Sequence, residues 1–151
     1  MHQGQLAEIS IHRFKKYNAV MRMTEQELED DSLNKYPTTI HVIQSLLRKL
    51  SRVSQPPKNS KVYRGLSRCK LPEEFFVPDE QGCKGGVEYG FLSTSADIEV
   101  ALTYAGIQKN RPNPIIFELD IGKTSMGADV SFLSQFPHEK GACPCRPFVK
   151  G

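Results

Sequence analysis

The sequence contains no long apolar run and no dense run of basic residues, and these two absences exclude several classes of protein. No window approaches the ~18 consecutive apolar residues that a membrane-spanning helix requires, so no membrane span is expected. The N-terminal sequence contains no apolar segment of the secretory type, and this predicts a cytoplasmic protein. The net charge is +3 and the basic residues are scattered, which favours a small anionic ligand over nucleic acid as the partner.

Cysteine is scarce, with only four residues: Cys69, Cys83, Cys143 and Cys145. Without a secretory segment, four reduced thiols are expected rather than a disulfide framework. Cys143 and Cys145 form a C-x-C pair that suits a soft metal, but no further Cys or His stands at zinc-finger spacing. No metal is therefore expected, and a metal- or redox-responsive domain built on this pair remains one alternative.

The first third of the chain has the patterns of helices. Thr24 and Glu27 stand at capping-box spacing, and Pro37 suits the first turn of a second helix. That helix carries an apolar stripe at spacings of three and four residues, formed by Ile40, Ile43, Leu47 and Leu50. The breaker-rich stretch SQPPKNS at Ser54–Ser60 is expected to end it.

Strand patterns dominate the rest of the chain. Short β-prone runs occur at 61–66 (KVYRGL), 87–95 (VEYGFLSTS) and 113–122 (NPIIFELDIG), the last with clear alternation of apolar and acidic residues. A compact helix, DIEVALTYAG at 97–106, is expected to be capped by Asp97 or Ser95 and ended by Gly106. Helices first and strands afterwards predict an α+β fold of one domain.

Two of these runs carry residues suited to chemistry. Arg64 ends a strand beside Gly65, where a guanidinium can bind phosphate through paired hydrogen bonds and a glycine can admit a ligand to the backbone. Ser93, Thr94 and Ser95 close the next strand, and alternation places Ser93 and Ser95 on one face. Taken singly, an ordinary surface arginine and a strand end with a helix cap explain the same residues.

A third segment, SQFPHEKG at residues 134–141, is a loop with one acid, Glu139, and alone reads as a turn with a solvent-facing carboxylate. Together the three segments resemble the arginine-specific mono-ADP-ribosyltransferase family of the R-S-E type. That family has an arginine at a strand end, an S-T-S strand and an E-x-E loop. The resemblance runs from about Tyr17 to Lys140 and is most similar to intracellular members from protists.

The resemblance implies a fold and a substrate. A helical N-terminal lobe at about 1–55 would precede a split NAD-binding core at about 60–140, formed by two small, steeply packed β-sheets. An atypical tail at 141–151 would follow, all within a single domain. NAD would lie as substrate in the cleft between the sheets, and the second partner would be an acceptor protein bearing a reactive arginine.

The resemblance also implies roles for individual residues. Arg64 would hold a phosphate or ribose of NAD, and Ser93 would support the catalytic carboxylate. Gly65, Thr94 and Ser95 would line and organise the NAD site. Glu139 would be the first acid of E-x-E, which engages the acceptor guanidinium, so the expected catalytic residues are Arg64, Ser93 and Glu139.

Gly141 occupies the position of the second glutamate of E-x-E. Breaking the nicotinamide–ribose bond builds positive charge on the ribose, and a carboxylate beside it stabilises that charge as it develops. Loss of one such group costs ~10²–10³ in rate. The activity of this chain is therefore expected to be lost or impaired, and a catalytically inactive NAD-binding protein or a weak NAD glycohydrolase using Glu139 alone is the alternative.

The tail after Lys140, GACPCRPFVKG, departs from the apolar last strand of the family, and an altered reading frame is one interpretation. Pro144 and Pro147 each remove a backbone donor, so this segment is expected to be a poor central strand. A missing last strand would expose a sheet edge and lower the stability of the fold.

Overall fold

The computed structural model describes residues 15–30, 32–54, 61–121, 127–133, 143–145 and 148–150. The helices are α1 over residues 15–21, α2 at Glu25–Leu28, α3 at Pro37–Ser51 and α4 at Ile98–Ala105. The strands are β1 at Lys61–Leu66, β2 at Gly85–Val87, β3 at Leu92–Thr94, β4 at Ile115–Asp120, β5 at Cys143–Cys145 and β6 at Phe148–Lys150. Three short 3₁₀ turns lie at Glu73–Phe76, Ile107–Lys109 and Ser131–Leu133.

Local signals set the helix starts, as the sequence predicts. The Thr24 hydroxyl accepts from the Glu27 N–H at 3.4 Å, and the Glu27 carboxylate accepts from the Thr24 N–H at 2.8 Å, which completes the capping box before α2. Pro37 opens α3, where its missing N–H costs no intrahelical bond. The four residues of the α3 stripe, Ile40, Ile43, Leu47 and Leu50, are all half-buried.

The described strands form three two-stranded antiparallel ladders. Strand β1 pairs with β4 in a register that runs from Lys61 opposite Asp120 to Leu66 opposite Ile115. Strand β2 pairs with β6, and β3 pairs with β5. A bridge between Tyr63 and Ser95 connects the first ladder to the third. With the helices that precede them, these small sheets confirm the predicted α+β class.

Helix α4 packs against β1 and provides part of the core. The Asp97 carboxylate accepts from the Glu99 N–H at 2.9 Å at its start, and Gly106 ends it in the left-handed region at φ 75°. Both caps are those expected from the sequence. Six apolar residues of the described chain are fully buried: Val62, Phe91, Leu92, Ala101, Ala105 and Ala128.

The predicted continuous strand at 87–95 is wrong, because the structure divides it into β2 and β3. Within the break, the Gly90 N–H donates to Glu88 Oε1 at 2.7 Å, and the Phe91 N–H donates to Asn18 Oδ1 at 2.7 Å. Side chains thus take the backbone donors that a neighbouring strand would otherwise bind.

The expectation that the tail lacks a last strand is also wrong. Cys143–Cys145 pairs with β3, with Pro144 opposite Ser93, and Phe148–Lys150 pairs with β2. Among the described strands, β5 is paired on one side only, and proline is tolerated on such an edge because its missing donor can face outward. A strand from the tail therefore pairs with β3, whereas the sequence predicts an exposed sheet edge there for want of a last strand.

Candidate active site

Strands β1 and β3 bring the two strand motifs into direct contact. Tyr63 and Ser95 exchange two backbone hydrogen bonds of 2.7 and 2.8 Å, which place the end of β3 beside the middle of β1. The adjacent Arg64 donates from Nη1 to the Ser93 carbonyl at 3.0 Å. Arg64 and Ser93, predicted as a pair from separate motifs, are therefore neighbours, and the contact uses the Ser93 backbone while its side chain is exposed.

The surroundings of the Arg64 guanidinium suit an anionic ligand. The residue is half-buried, and within the described part of the chain no carboxylate forms an ion pair with it. Burial lowers the pKa of Arg64; the charge of Glu88 opposes that change, and the charge of Arg22 adds to it. Because arginine still stays protonated, the site holds a cation with donors that no described residue other than Ser93 takes, and these suit a phosphate.

Thr94 and Ser95 are buried, at 4% and 5% exposure. Ser95 Oγ accepts from the Asp97 N–H at 3.0 Å, so this residue joins β3 both to β1 and to the start of α4. The expectation that Ser93 and Ser95 share one face does not agree with their burial, because the Tyr63 bridge encloses Ser95 whereas Ser93 is exposed. The predicted organising role of Thr94 and Ser95 fits these positions.

Helix packing explains why residue 65 is glycine, and this reason is not evident from the sequence. A Cβ at this position would lie 1.8 Å from the Ala101 carbonyl oxygen and 2.7 Å from the Ala105 N. Glycine is thus required for α4 to pack on β1. From the sequence, Gly65 is expected to admit a ligand to the backbone, but α4 fills the space on that side. A role of the Gly65 backbone in NAD binding stays a prediction.

The third motif lies outside the described residues. Glu139 and Gly141 both fall in the span 134–142, so their placement relative to Arg64 stays a prediction from the sequence. Within the described part of the chain, no group of His, Cys, Asp and Glu side chains is arranged to hold a metal ion. None of the described helices combines the length and apolar character needed to cross a membrane.

Three residues near the site were not identified from the sequence: Asn18, Arg22 and Glu88. Arg22 forms a two-point ion pair with Glu88, with Nε to Oε1 at 2.8 Å and Nη2 to Oε2 at 2.7 Å. Asn18 is 3% exposed and bonds the backbone of Phe91. The available signal was the spacing of Asn18 and Arg22, which places both on one face of a helix.

Glu88 is bound by Arg22 and also feels the charge of Arg64. Partial burial raises the pKa of its carboxyl, but hydrogen bonds from Arg22 and the Gly90 N–H outweigh this effect. The charges of Arg22 and Arg64 act in the same direction, and the pKa is held below its ordinary value. The cluster of Arg22, Glu88 and Arg64 therefore carries a net positive charge, which attracts a phosphate-bearing ligand.

Comparison with known proteins gives one finding for this arrangement. A family model described as ADP-ribosyltransferase exoenzyme matches residues 12–141. The match includes α1, Arg64, the S-T-S strand and Glu139, and it ends at Gly141. No curated protein and no solved structure matches the chain significantly.

Proposed function

The chain belongs to the ADP-ribosyltransferase exoenzyme family, and from that premise we propose that it modifies arginine side chains on an acceptor protein. Transfer of ADP-ribose from NAD to an acceptor is the general reaction of the family. The observation that carries the proposal for this chain is the contact between Arg64 Nη1 and the Ser93 carbonyl at 3.0 Å. It joins the two motifs that the R-S-E resemblance assigns to the NAD site.

Binding of NAD is the step that the described residues support best. A half-buried guanidinium that has no described carboxylate partner is well suited to a pyrophosphate, because charge-assisted bonds to phosphate are among the strongest that a side chain makes. The Ser93 carbonyl fixes the orientation of that guanidinium. Arg64 therefore holds the phosphates, and the S-T-S strand forms the adjacent wall.

Bond breaking at the ribose requires stabilisation of the charge that develops as nicotinamide leaves. The E-x-E resemblance gives that role to position 141, where Gly141 contributes no side chain. Without this electrostatic group the reaction is slower by about 10²–10³. The transferase is thus proposed to be active but slow.

Arginine specificity rests on the position of Glu139. As the first acid of E-x-E, its carboxylate would accept hydrogen bonds from the acceptor guanidinium and hold it toward the ribose. The test is mass spectrometry of two acceptor peptides incubated with NAD and the chain, identical except that one carries lysine in place of arginine. An ADP-ribose adduct on the arginine peptide alone supports the proposal, and equal adducts on both peptides contradict it.

A second function is favoured by one specific residue, Gly141. If the missing carboxylate removes turnover entirely, the cleft still binds NAD through Arg64, and the chain is an NAD-binding protein without transferase activity. NAD would then raise the melting temperature while no nicotinamide is released. Weak release that does not respond to an acceptor would instead identify an NAD glycohydrolase.

A further inference from the structure

Helix α1, together with Arg22 directly after its last residue, contacts two separate parts of the molecule through two pairs of side chains, each spaced four residues apart. The first pair faces α3. The Tyr17 ring packs edge-on against Tyr36 with centroids 5.3 Å apart, and Met21 Sδ accepts from Gln44 Nε2 at 4.0 Å. Residues four apart lie one above the other on a helix, so this face of α1 rests along the first half of α3.

The second pair faces the segment Glu88–Phe91, which connects β2 to β3. Asn18 donates from Nδ2 to the Phe91 carbonyl at 3.0 Å and accepts from the Phe91 N–H at 2.7 Å. One turn later, Arg22 forms its two-point ion pair with Glu88. Helix α1 therefore holds both ends of this segment.

The two contacts replace a neighbouring strand. Asn18 exchanges both hydrogen bonds with one residue, as a partner in an antiparallel ladder would. Glu88 Oε1 also accepts from the Gly90 N–H at 2.7 Å, which fixes the turn between the two contacts. A Cβ at Gly90 would lie 3.0 Å from both Asn18 Oδ1 and Glu88 Oε1, so the side chains close tightly over this glycine.

The segment leads directly to the proposed NAD site. Ser93, whose carbonyl orients Arg64, is two residues beyond Phe91. A shift of the Phe91 backbone is therefore expected to move the Ser93 carbonyl and, with it, the guanidinium that donates to it. The same helix that packs on α3 thus fixes the position of a residue in the cleft.

We propose that Asn18, Arg22 and Glu88 are positioning residues that set the NAD-binding geometry of Arg64 and Ser93. Helix α1 acts through them on the strand and does not itself contact NAD. The inference rests on the proposed function, since it assigns these residues a role in NAD binding. It also makes a separate statement about the free protein, namely that they order the segment Glu88–Phe91 and the S-T-S strand that follows it, residues 88–95 together.

The decisive variant is Glu88→Gln, because charge and position predict opposite results. Removing a negative charge beside Arg64 should tighten binding of a phosphate ligand if charge alone matters. Loss of the ion pair that holds the segment should instead weaken NAD binding, by roughly tenfold, a size typical of residues that act without ligand contact. NAD affinity is measured by titration calorimetry well below the melting temperature, with folding checked by circular dichroism.

A matched control is Glu118→Gln. Glu118 pairs with Lys61 across β1 and β4, so its loss also removes an ion pair between distant parts of the sequence. Glu118 has no described contact with the segment Glu88–Phe91. NAD affinity is expected to be unchanged in this variant. Asn18→Ala provides a second variant without any change of charge, and it is also expected to weaken NAD binding.

A double variant separates positioning from direct contact. If Arg22 acts only through Glu88, Arg22→Met combined with Glu88→Gln weakens NAD binding no more than the more damaging single change. Effects that multiply would mean that Arg22 itself contacts NAD, and this result would overturn the proposal. Tighter or unchanged NAD binding in Glu88→Gln would overturn it as well.

Hydrogen exchange of the free proteins keeps this inference distinct from the proposed function. Peptides covering 88–95 should lose protection in Glu88→Gln but not in Glu118→Gln, while peptides covering β4 keep theirs. If Glu88→Gln leaves protection at 88–95 unchanged while the wild-type chain binds NAD normally, the positioning role is contradicted and the proposed function is not. A wild-type chain that binds no NAD would remove the proposed function, and the positioning role with it.

Discussion

Arg64 combines partial burial with a positive charge that no described carboxylate pairs with directly. Burying a cation is unfavourable unless it gains hydrogen bonds or an opposite charge, and among the described residues only the Ser93 carbonyl accepts from this guanidinium, which satisfies part of it. A bound phosphate would supply the opposite charge and the remaining hydrogen-bond acceptors. This residue therefore links a feature of the fold to a property of the proposed substrate.

Arg64→Ala should weaken NAD binding by about 10- to 100-fold, the range expected for losing hydrogen bonds to a charged group. Arg48→Ala, on the exposed face of α3, is the control and should leave NAD affinity unchanged. Both are measured by titration calorimetry at neutral pH. Equal affinities for Arg64→Ala and the wild-type chain would show that the phosphates bind elsewhere.

Gly141→Glu tests the missing carboxylate. If residue 141 lies beside the ribose, the variant should release nicotinamide faster by about 10²–10³, because it restores a preorganised charge. Gly141→Gln matches the size of the new side chain without its charge and should give no comparable gain. A gain of the same size from both variants would show that charge is not what position 141 lacks.

At the level of elements, the sequence predicted those parts whose signals are local. The bounds of β1 match the predicted run at 61–66, and α4 lies between the predicted caps Asp97 and Gly106. These features depend on residues within a few positions of each other, as strand alternation and helix caps do.

The break between β2 and β3 could not be predicted from local sequence signals. It is caused by Asn18, which lies 73 positions from Phe91 and takes both of its backbone hydrogen bonds. No pattern inside residues 87–95 signals a partner from α1. Likewise, the pairing of Arg64 with Ser93 followed from the family resemblance, whereas the use of the Ser93 carbonyl depends on the register of β1 and β3.

The packing of α4 on β1 gives a prediction about stability. Gly65→Ala places a Cβ 1.8 Å from the Ala101 carbonyl oxygen, so backbone must move, and the expected loss is about 3 kcal/mol in the free energy of unfolding. Gly86→Ala is the control, because its Cβ would meet only the Phe75 ring at 3.6 Å. Denaturant unfolding of both variants provides the measurement. A loss in Gly65→Ala no larger than in Gly86→Ala would contradict the close packing.

At the level of the whole molecule, α1 connects the helical first part to the strand-rich second part. Its contacts reach α3 on one side and the segment before β3 on the other. The charged contact between Arg22 and Glu88 makes this connection dependent on pH.

The dependence on pH follows from the lowered pKa of Glu88. A carboxyl with a lowered pKa in the folded state stabilises the fold above its unfolded pKa of about 4.3, and this stabilisation disappears as pH falls through the folded pKa. The melting temperatures of the wild-type chain and Glu88→Gln should therefore differ by a constant amount from pH 7 to about 5, and converge as pH falls further through the folded pKa of Glu88. A difference that persists unchanged to pH 3 would mean that the ion pair is not its source.

Nicotinamide release from NAD by the wild-type chain, with and without a small guanidino acceptor, is the most direct test of the proposed transferase. Slow release that increases with the acceptor and is lost in Arg64→Ala is expected. Absence of release from a folded chain that binds NAD would contradict the transferase proposal and support an NAD-binding protein without turnover.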